Sequence, residues 1–274
     1  MCSKPEESVS VPTVNLFGLP LANLDRVQTL ELCRTWLRAP RTGKGARYVA
    51  PTNVDTTVQA GTNPQLLAAY QAADLVPADG NPVVWASRIL GQALPERVTG
   101  SDLIPALFAA ADPADSLRVF LLGAAPGVAV RAAERIHARY PGTRVVDVDS
   151  PPFGFHLDPA ENERLVRKVN ASGADLLILG LGAPKQEIWI HAHAPRLNVK
   201  LAVCAGATID FLAGEQRRAP RWMRVLALEW LHRMLSQPRR LVRRYARDAV
   251  AFPAMILRER RRLRNGRSQT ETEQ

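Results

Sequence analysis

The sequence predicts an α/β sandwich with a largely parallel sheet and a C-terminal helical, basic appendage. Three observations carry that expectation. Residues 175–189 read D-L-L-I-L-G-L-G-A-P-K-Q-E-I-W, an apolar run that stops at a glycine-broken turn and opens onto Lys185, Gln186 and Glu187. A short continuous apolar run suits a strand buried on both faces, as in a parallel sheet. Runs of this kind then alternate along the chain with helical patterns, as strand–helix–strand units do. Finally, a composition break near Gly214 gives way to an arginine-rich amphipathic stretch.

A short strand is expected over 48–51, followed by a helix-like stretch over 54–71. A strand over 75–77 runs into Ala78-Asp79-Gly80, and a helix is expected over 82–90. The run 117–123 reads as a clear strand and 128–140 as an amphipathic helix. Strands over 143–148, 175–180 and 199–205, with helices over 159–172 and 185–194, complete the series. After the break, 221–236 sets Trp222, Leu226, Trp230 and Met234 at helical spacing. Pro238 interrupts, the helical pattern resumes over 239–251, and 258–264 is a dense basic run. The expected division is a core of residues 1–215 and an appendage of residues 216–274, with polar, frayed ends at 1–12 and 265–274.

At 274 residues the chain can bury a large core. Its formal charge of +10 is unevenly placed. Residues 217–267 hold sixteen arginines against Glu229, Asp248 and Glu259, a local balance of +13 that leaves −3 for the rest. Cys2, Cys33 and Cys204 are widely spaced and odd in number, which speaks against a disulfide framework and for a reducing compartment. No apolar run reaches the roughly 20 residues that a membrane helix needs, and residues 1–10 lack a signal-peptide core. A cytoplasmic protein is expected, with any membrane contact peripheral.

Several motifs can carry chemistry, and each has a plainer structural reading beside it. Leu121-Leu122-Gly123-Ala124-Ala125-Pro126-Gly127 leaves a strand and opens a helix, so its N–H groups can cradle a diphosphate; a plain strand-to-helix turn looks the same. It is not G-x-G-x-x-G, and no acid is expected at the end of the next strand, which argues against a nicotinamide site. Asp79, at a strand's carboxyl end, suits a general base for a hydroxyl nucleophile or a turn aspartate before glycine. The patch from Glu96 to Asp102 has anion-binding potential, or serves as a helix start capped by Ser101 or Asp102. Pro184 and Glu187 are good helix-start residues, which leaves the Gln186 amide unexplained. His191 and His193 lie two apart with no further ligand at metal spacing, so they read as non-ligands and no metal is expected. The arginines fit a solvated face, a nucleic-acid surface or an anionic membrane surface; the helix-spaced Trp and Leu residues favour the membrane.

These residues resemble the WecG/TagA/CpsF glycosyltransferases (glycosyltransferase family 26) from about Val14 to Tyr245. The shared markers are Asn53-Val54-Asp55, Ala78-Asp79-Gly80, Glu96-Arg97-Val98-Thr99-Gly100-Ser101-Asp102-Leu103 and Gly182-Ala183-Pro184-Lys185-Gln186-Glu187-Ile188-Trp189. Further on come Phe211-Leu212-Ala213-Gly214, Arg218-Ala219-Pro220, Leu228-Glu229-Trp230 and Pro238-Arg239-Arg240 through Tyr245. The resemblance implies a Rossmann-like core and an inverting, metal-independent hexosyltransferase. Its donor would be a UDP-sugar, carrying N-acetylmannosamine or another hexose, and its acceptor an undecaprenyl-diphosphate-linked sugar in surface-polymer synthesis. By the same resemblance Asp79 is the base. Thr52, Asn53, Arg97, Thr99, Gly100, Asp102, Gly123, Gly182, Gln186 and Glu187 line the substrate pocket. Arg218, Arg221, Arg233, Arg240 and Arg243 meet the lipid diphosphate and the inner leaflet of the membrane. Two departures from the family pattern stand out: Ala78 separates Pro77 from Asp79, and Thr52 abuts Asn53. The competing expectation is a non-catalytic nucleotide- or nucleic-acid-binding α/β protein with a basic tail; a homo-oligomer fits either.

Overall fold

The computed structural model describes residues 11–41, 43, 45–216, 219, 220, 223, 234 and 238–272. β1 (Thr13–Leu16) and β2 (Leu19–Ala22) form an antiparallel hairpin, and α1 (Arg26–Arg38) starts at a capping box between Asp25 and Gln28. The sequence reading gave this stretch no element. β3 (Arg47–Val49) leads into α2 (Val54–Ala60) and α3 (Pro64–Gln71). The single helix expected over 54–71 is therefore two, because Asn63 caps a new start with Pro64 in its first turn. Then follow α4 (Asn81–Ile89), α5 (Gly100–Ala109), β4 (Leu117–Gly123), α6 (Val128–Arg139), β5 (Thr143–Asp149) and α7 (Pro159–Ser172). β6 (Leu176–Gly180), α8 (Lys185–His193), β7 (Leu201–Cys204) and α9 (Thr208–Ala213) complete the core. α10 (Pro238–Thr272) is the long C-terminal helix.

The five strands β3 to β7 make one parallel sheet in the order β3-β7-β6-β4-β5. The strand expected over 75–77 flanks β3 only through parallel bridges, Val49 with Leu75 and Thr52 with Ala78. The sheet divides the core into two layers, as the period of a strand requires. On β6, Leu177 and Leu179 face the cluster built with α3, α4, α7 and α8, while Leu176 and Ile178 face the cluster built with α1, α5, α6 and α9. All four side chains are fully buried. At about 1.5–3 kcal/mol for each buried leucine-sized side chain, this run alone fixes β6 at the centre of a Rossmann-like α/β sandwich.

α10 packs against this core. Phe252 is buried in the first cluster with its ring 5.5 Å from that of Phe17. Pro238, where a break in the helical pattern was expected, is the first residue of this helix, where its missing N–H costs nothing. The polar end expected to fray from 265 stays helical to Thr272, as the last turns of the long helix that begins at Pro238. The helix expected over 221–236 lies almost entirely outside the described residues. Among the described residues no helix is long and apolar enough to cross a membrane.

Candidate active site

Because every strand of the sheet points the same way, the carboxyl ends of the strands share one rim, where ligands of open α/β sheets bind. Thr52 and Asn53 follow β3 there, Asp79 follows the bridged segment, Gly123 ends β4, and the Gly182–Gln186 turn follows β6. Backbone bonds stitch neighbouring turns together. The Asp79 amide donates to the Thr52 carbonyl at 2.7 Å, and the Val98 amide to the Ala78 carbonyl at 2.8 Å. Helices α2, α4, α6 and α8 begin at this rim, so their unpaired N–H groups and positive dipole ends favour an anion above it. α5 joins them: a Cβ on Gly100 would lie 3.4 Å from the Ala205 backbone just beyond β7.

Asn53 caps α2 through a reciprocal bond with Thr56. The Thr52 hydroxyl is fully buried, 3.1 Å from that of Thr56 and 3.2 Å from that of Thr57. Asp79 is half-buried, before Gly80, whose φ of +144° only glycine adopts readily. Arg97 lies 4.0 Å from Asp102, and the Thr99 hydroxyl donates to the same carboxylate at 2.8 Å. The cap of α5 is Thr99, not Ser101 or Asp102; its hydroxyl accepts from the Asp102 amide. Glu96 leaves the rim altogether and clamps the first turn of α1 through Arg26.

The glycine turn after β4 approaches β6 closely, with the Ala124 amide donating to the Gly180 carbonyl. β5 does end on a carboxylate, Asp149, contrary to the sequence expectation. Arg164 and Lys168 occupy it and, against the effect of burial, hold its pKa below the usual carboxylate value. It is a structural ion pair rather than a ribose acceptor.

The Gln186 amide bridges two turns. Its oxygen accepts from the Gly206 amide at 3.3 Å, and its nitrogen donates to Glu187 at 2.8 Å, leaving that nitrogen a second hydrogen for a ligand. Glu187 is almost wholly buried, with Oε2 unpartnered. Burial raises its carboxyl to about 7; the Gln186 bond opposes the shift and the Asp55 charge adds to it. In the unfolded chain the group titrates near 4.5. Below that pH both states are protonated and no penalty arises. Between the two values the folded state keeps a proton that the unfolded state has lost, so stability falls as pH rises. Above about 7 the full penalty, on the order of 3 kcal/mol, applies. Glu187→Gln is therefore expected to be more stable than the native protein at pH 8 and to flatten its Tm between pH 5 and 8. A Tm profile as steep as the native one would sink this assignment.

His191 Nδ1 lies 3.3 Å from the Tyr48 hydroxyl, and His193 packs on Trp189. Arg218, Arg221 and Arg233 lie outside the described residues, as does the side chain of Arg240; Arg243 is exposed on α10. What the sequence reading missed is the other end of this helix's contact with the core. Asp55, read only as part of a shared marker, receives Arg247 at 2.6 Å and has Arg244 at 3.4 Å. A carboxylate early in α2 and a distant basic helix were both visible; their pairing was not.

Comparison with known proteins places this rim and helix in context. Residues 14–266 match the family described as Glycosyl transferase WecG/TagA/CpsF family. A protein of Bacillus spizizenii, named N-acetylglucosaminyldiphosphoundecaprenol N-acetyl-beta-D-mannosaminyltransferase, is 32% identical over 197 residues, covering 72% of this chain and 74% of its own length. The family match takes in the hairpin, every strand of the sheet, the rim turns and most of α10, and on that span the chain belongs to the WecG/TagA/CpsF family of glycosyltransferases.

Proposed function

We propose that the protein moves N-acetylmannosamine, or a related hexose, from a UDP-sugar to a sugar carried on undecaprenyl diphosphate, with inversion and without a metal ion. The observation that carries this reading is the convergence at one rim of Asp79, the Arg97–Thr99–Asp102 cluster and the turns after β4 and β6. The Bacillus spizizenii relative's name supplies the acceptor class and the N-acetylmannosaminyl group. In the proposed reaction the acceptor hydroxyl attacks the anomeric carbon from the face opposite UDP. The new C–O bond forms as the bond to the diphosphate breaks, UDP leaves with the electron pair, and Asp79 takes the hydroxyl proton. Arg97 and the amides at the helix starts stabilise the charge that gathers on the leaving diphosphate, the task that otherwise falls to a metal. The arginines of the appendage hold the acceptor's diphosphate at the inner leaflet of the cytoplasmic membrane.

The test is a UDP-release assay across UDP-sugars with a short-chain polyprenyl-diphosphate N-acetylglucosamine acceptor, run with and without a chelator. Acceptor-dependent UDP release that survives chelation supports the reading. Release that needs added divalent metal would remove its metal-free part, and no release with any UDP-sugar would remove the reading itself.

A further inference from the structure

One charge network fastens α10 to the core. Asp55, in the first turn of α2, is 5% exposed. Its Oδ1 accepts from Arg247 at 2.6 Å, its Oδ2 accepts from Gln59 at 2.8 Å, and Arg244 lies 3.4 Å from Oδ2. The same Arg247 guanidinium donates to Asp248 Oδ1 from Nε at 3.1 Å and from Nη2 at 2.9 Å. Asp248 is itself buried. A single guanidinium thus spans two buried carboxylates, one on α2 and one on α10. Further along, Phe252 packs on Phe17, and the tip of Met255 lies 3.5 Å from where a Cβ at position 61 would stand.

Packing alone requires no such arrangement. Two carboxylates taken out of water are costly unless cations meet them, and apolar residues of the same size would seat a helix as well. The position of the network is informative too. Asp55 stands two residues after Asn53 and three after Thr52, whose carbonyl holds the Asp79 amide. Arg247 therefore grips the first turn of α2, directly after the Thr52 carbonyl that holds the amide of the proposed base.

We infer that Asp55 is a positioning residue for the transferase reaction, acting with Arg247 to lock α10 onto the α2 turn. The lock holds the arginine-bearing helix in one orientation at the rim, where the lipid-linked acceptor must approach, and steadies the Thr52–Asp79 contact. This inference rests on the proposed transferase activity. It adds a residue pair whose own side chains need not touch either substrate.

A double-mutant cycle tests it, with Asp55→Asn, Arg247→Met and the double variant in the full chain. Each single change is expected to raise KM for the polyprenyl-diphosphate acceptor by about tenfold, with KM for the UDP-sugar changed by no more than about twofold. The double variant is expected to be no worse than the poorer single one, because the pair acts as a unit. Asp55→Glu, which keeps the charge, restores most of the loss. Amide hydrogen exchange over α10 provides a readout that needs no turnover, and it should quicken in both single variants. Losses that multiply in the double variant, or donor KM rising in step with acceptor KM, would overturn the inference. If Asp55→Asn does not fold, Arg247→Met, at a half-exposed side chain, carries the test. A native protein inactive on every UDP-sugar would defeat the transferase reading; native-like α10 exchange in Arg247→Met would defeat the lock itself.

Discussion

Asp79→Asn is expected to lower kcat by about 10²–10⁴ while leaving the fold and UDP-sugar affinity in place. The substitution keeps shape and size and removes the negative charge and with it the ability to accept a proton. The amide of residue 79 donates to the Thr52 carbonyl at 2.7 Å, and an asparagine makes that backbone bond equally well. Gly80 keeps the unusual φ that turns the chain from the bridged segment into α4. A loss of turnover at constant donor affinity would thus report chemistry and not placement. Single-turnover kinetics with saturating UDP-sugar, beside calorimetric titration of the donor, separates the outcomes. Near-native turnover would remove Asp79 as the base. Weakened donor binding with turnover in proportion would make it a donor ligand instead.

The parts of this molecule that could be read from the sequence are those where local chemistry is decisive. Leu176–Leu179, a short apolar run ending at glycines, suits a doubly buried strand, and Asp158, Pro159 and Gly173 bracket α7 with a cap, a first-turn proline and a left-handed stop. The rim followed, because strands of one direction bring their following turns together wherever they lie in the order. That order was not legible: β3 pairs with β7 across more than 150 residues, and no residue pattern announces such a partner. The same distance hid the seat of α10, since Asp55 and Arg247 stand 192 residues apart. Shorter-range misses have local causes. Thr99, Ser101 and Asp102 are all good caps, and only the backbone geometry selects Thr99. Asp149 fell one residue beyond the expected end of its strand, where Arg164 and Lys168 of α7 neutralise it.

Gly123→Ala is expected to be the most damaging small change in the floor of the rim, lowering stability by roughly 3–5 kcal/mol. Two costs combine there. Residue 123 has φ of +119°, a conformation in which a side chain is strained by about 1–3 kcal/mol. A Cβ would also stand 2.5 Å from both the carbonyl carbon and oxygen of Gly180, where β4 and β6 pair in register. Those atoms are backbone and cannot rotate aside, so the strands must part at the point where the Ala124 amide holds the Gly180 carbonyl. Gly182→Ala makes the control. Its φ of +79° imposes strain of a similar kind, but a Cβ there meets nothing within 4 Å. For a domain of this size each kcal/mol moves Tm by about 2–4 °C, so Gly123→Ala should melt well below Gly182→Ala. Equal melting temperatures would mean that β4 and β6 yield without cost, and the shared floor of the proposed donor site would then be softer than its geometry implies.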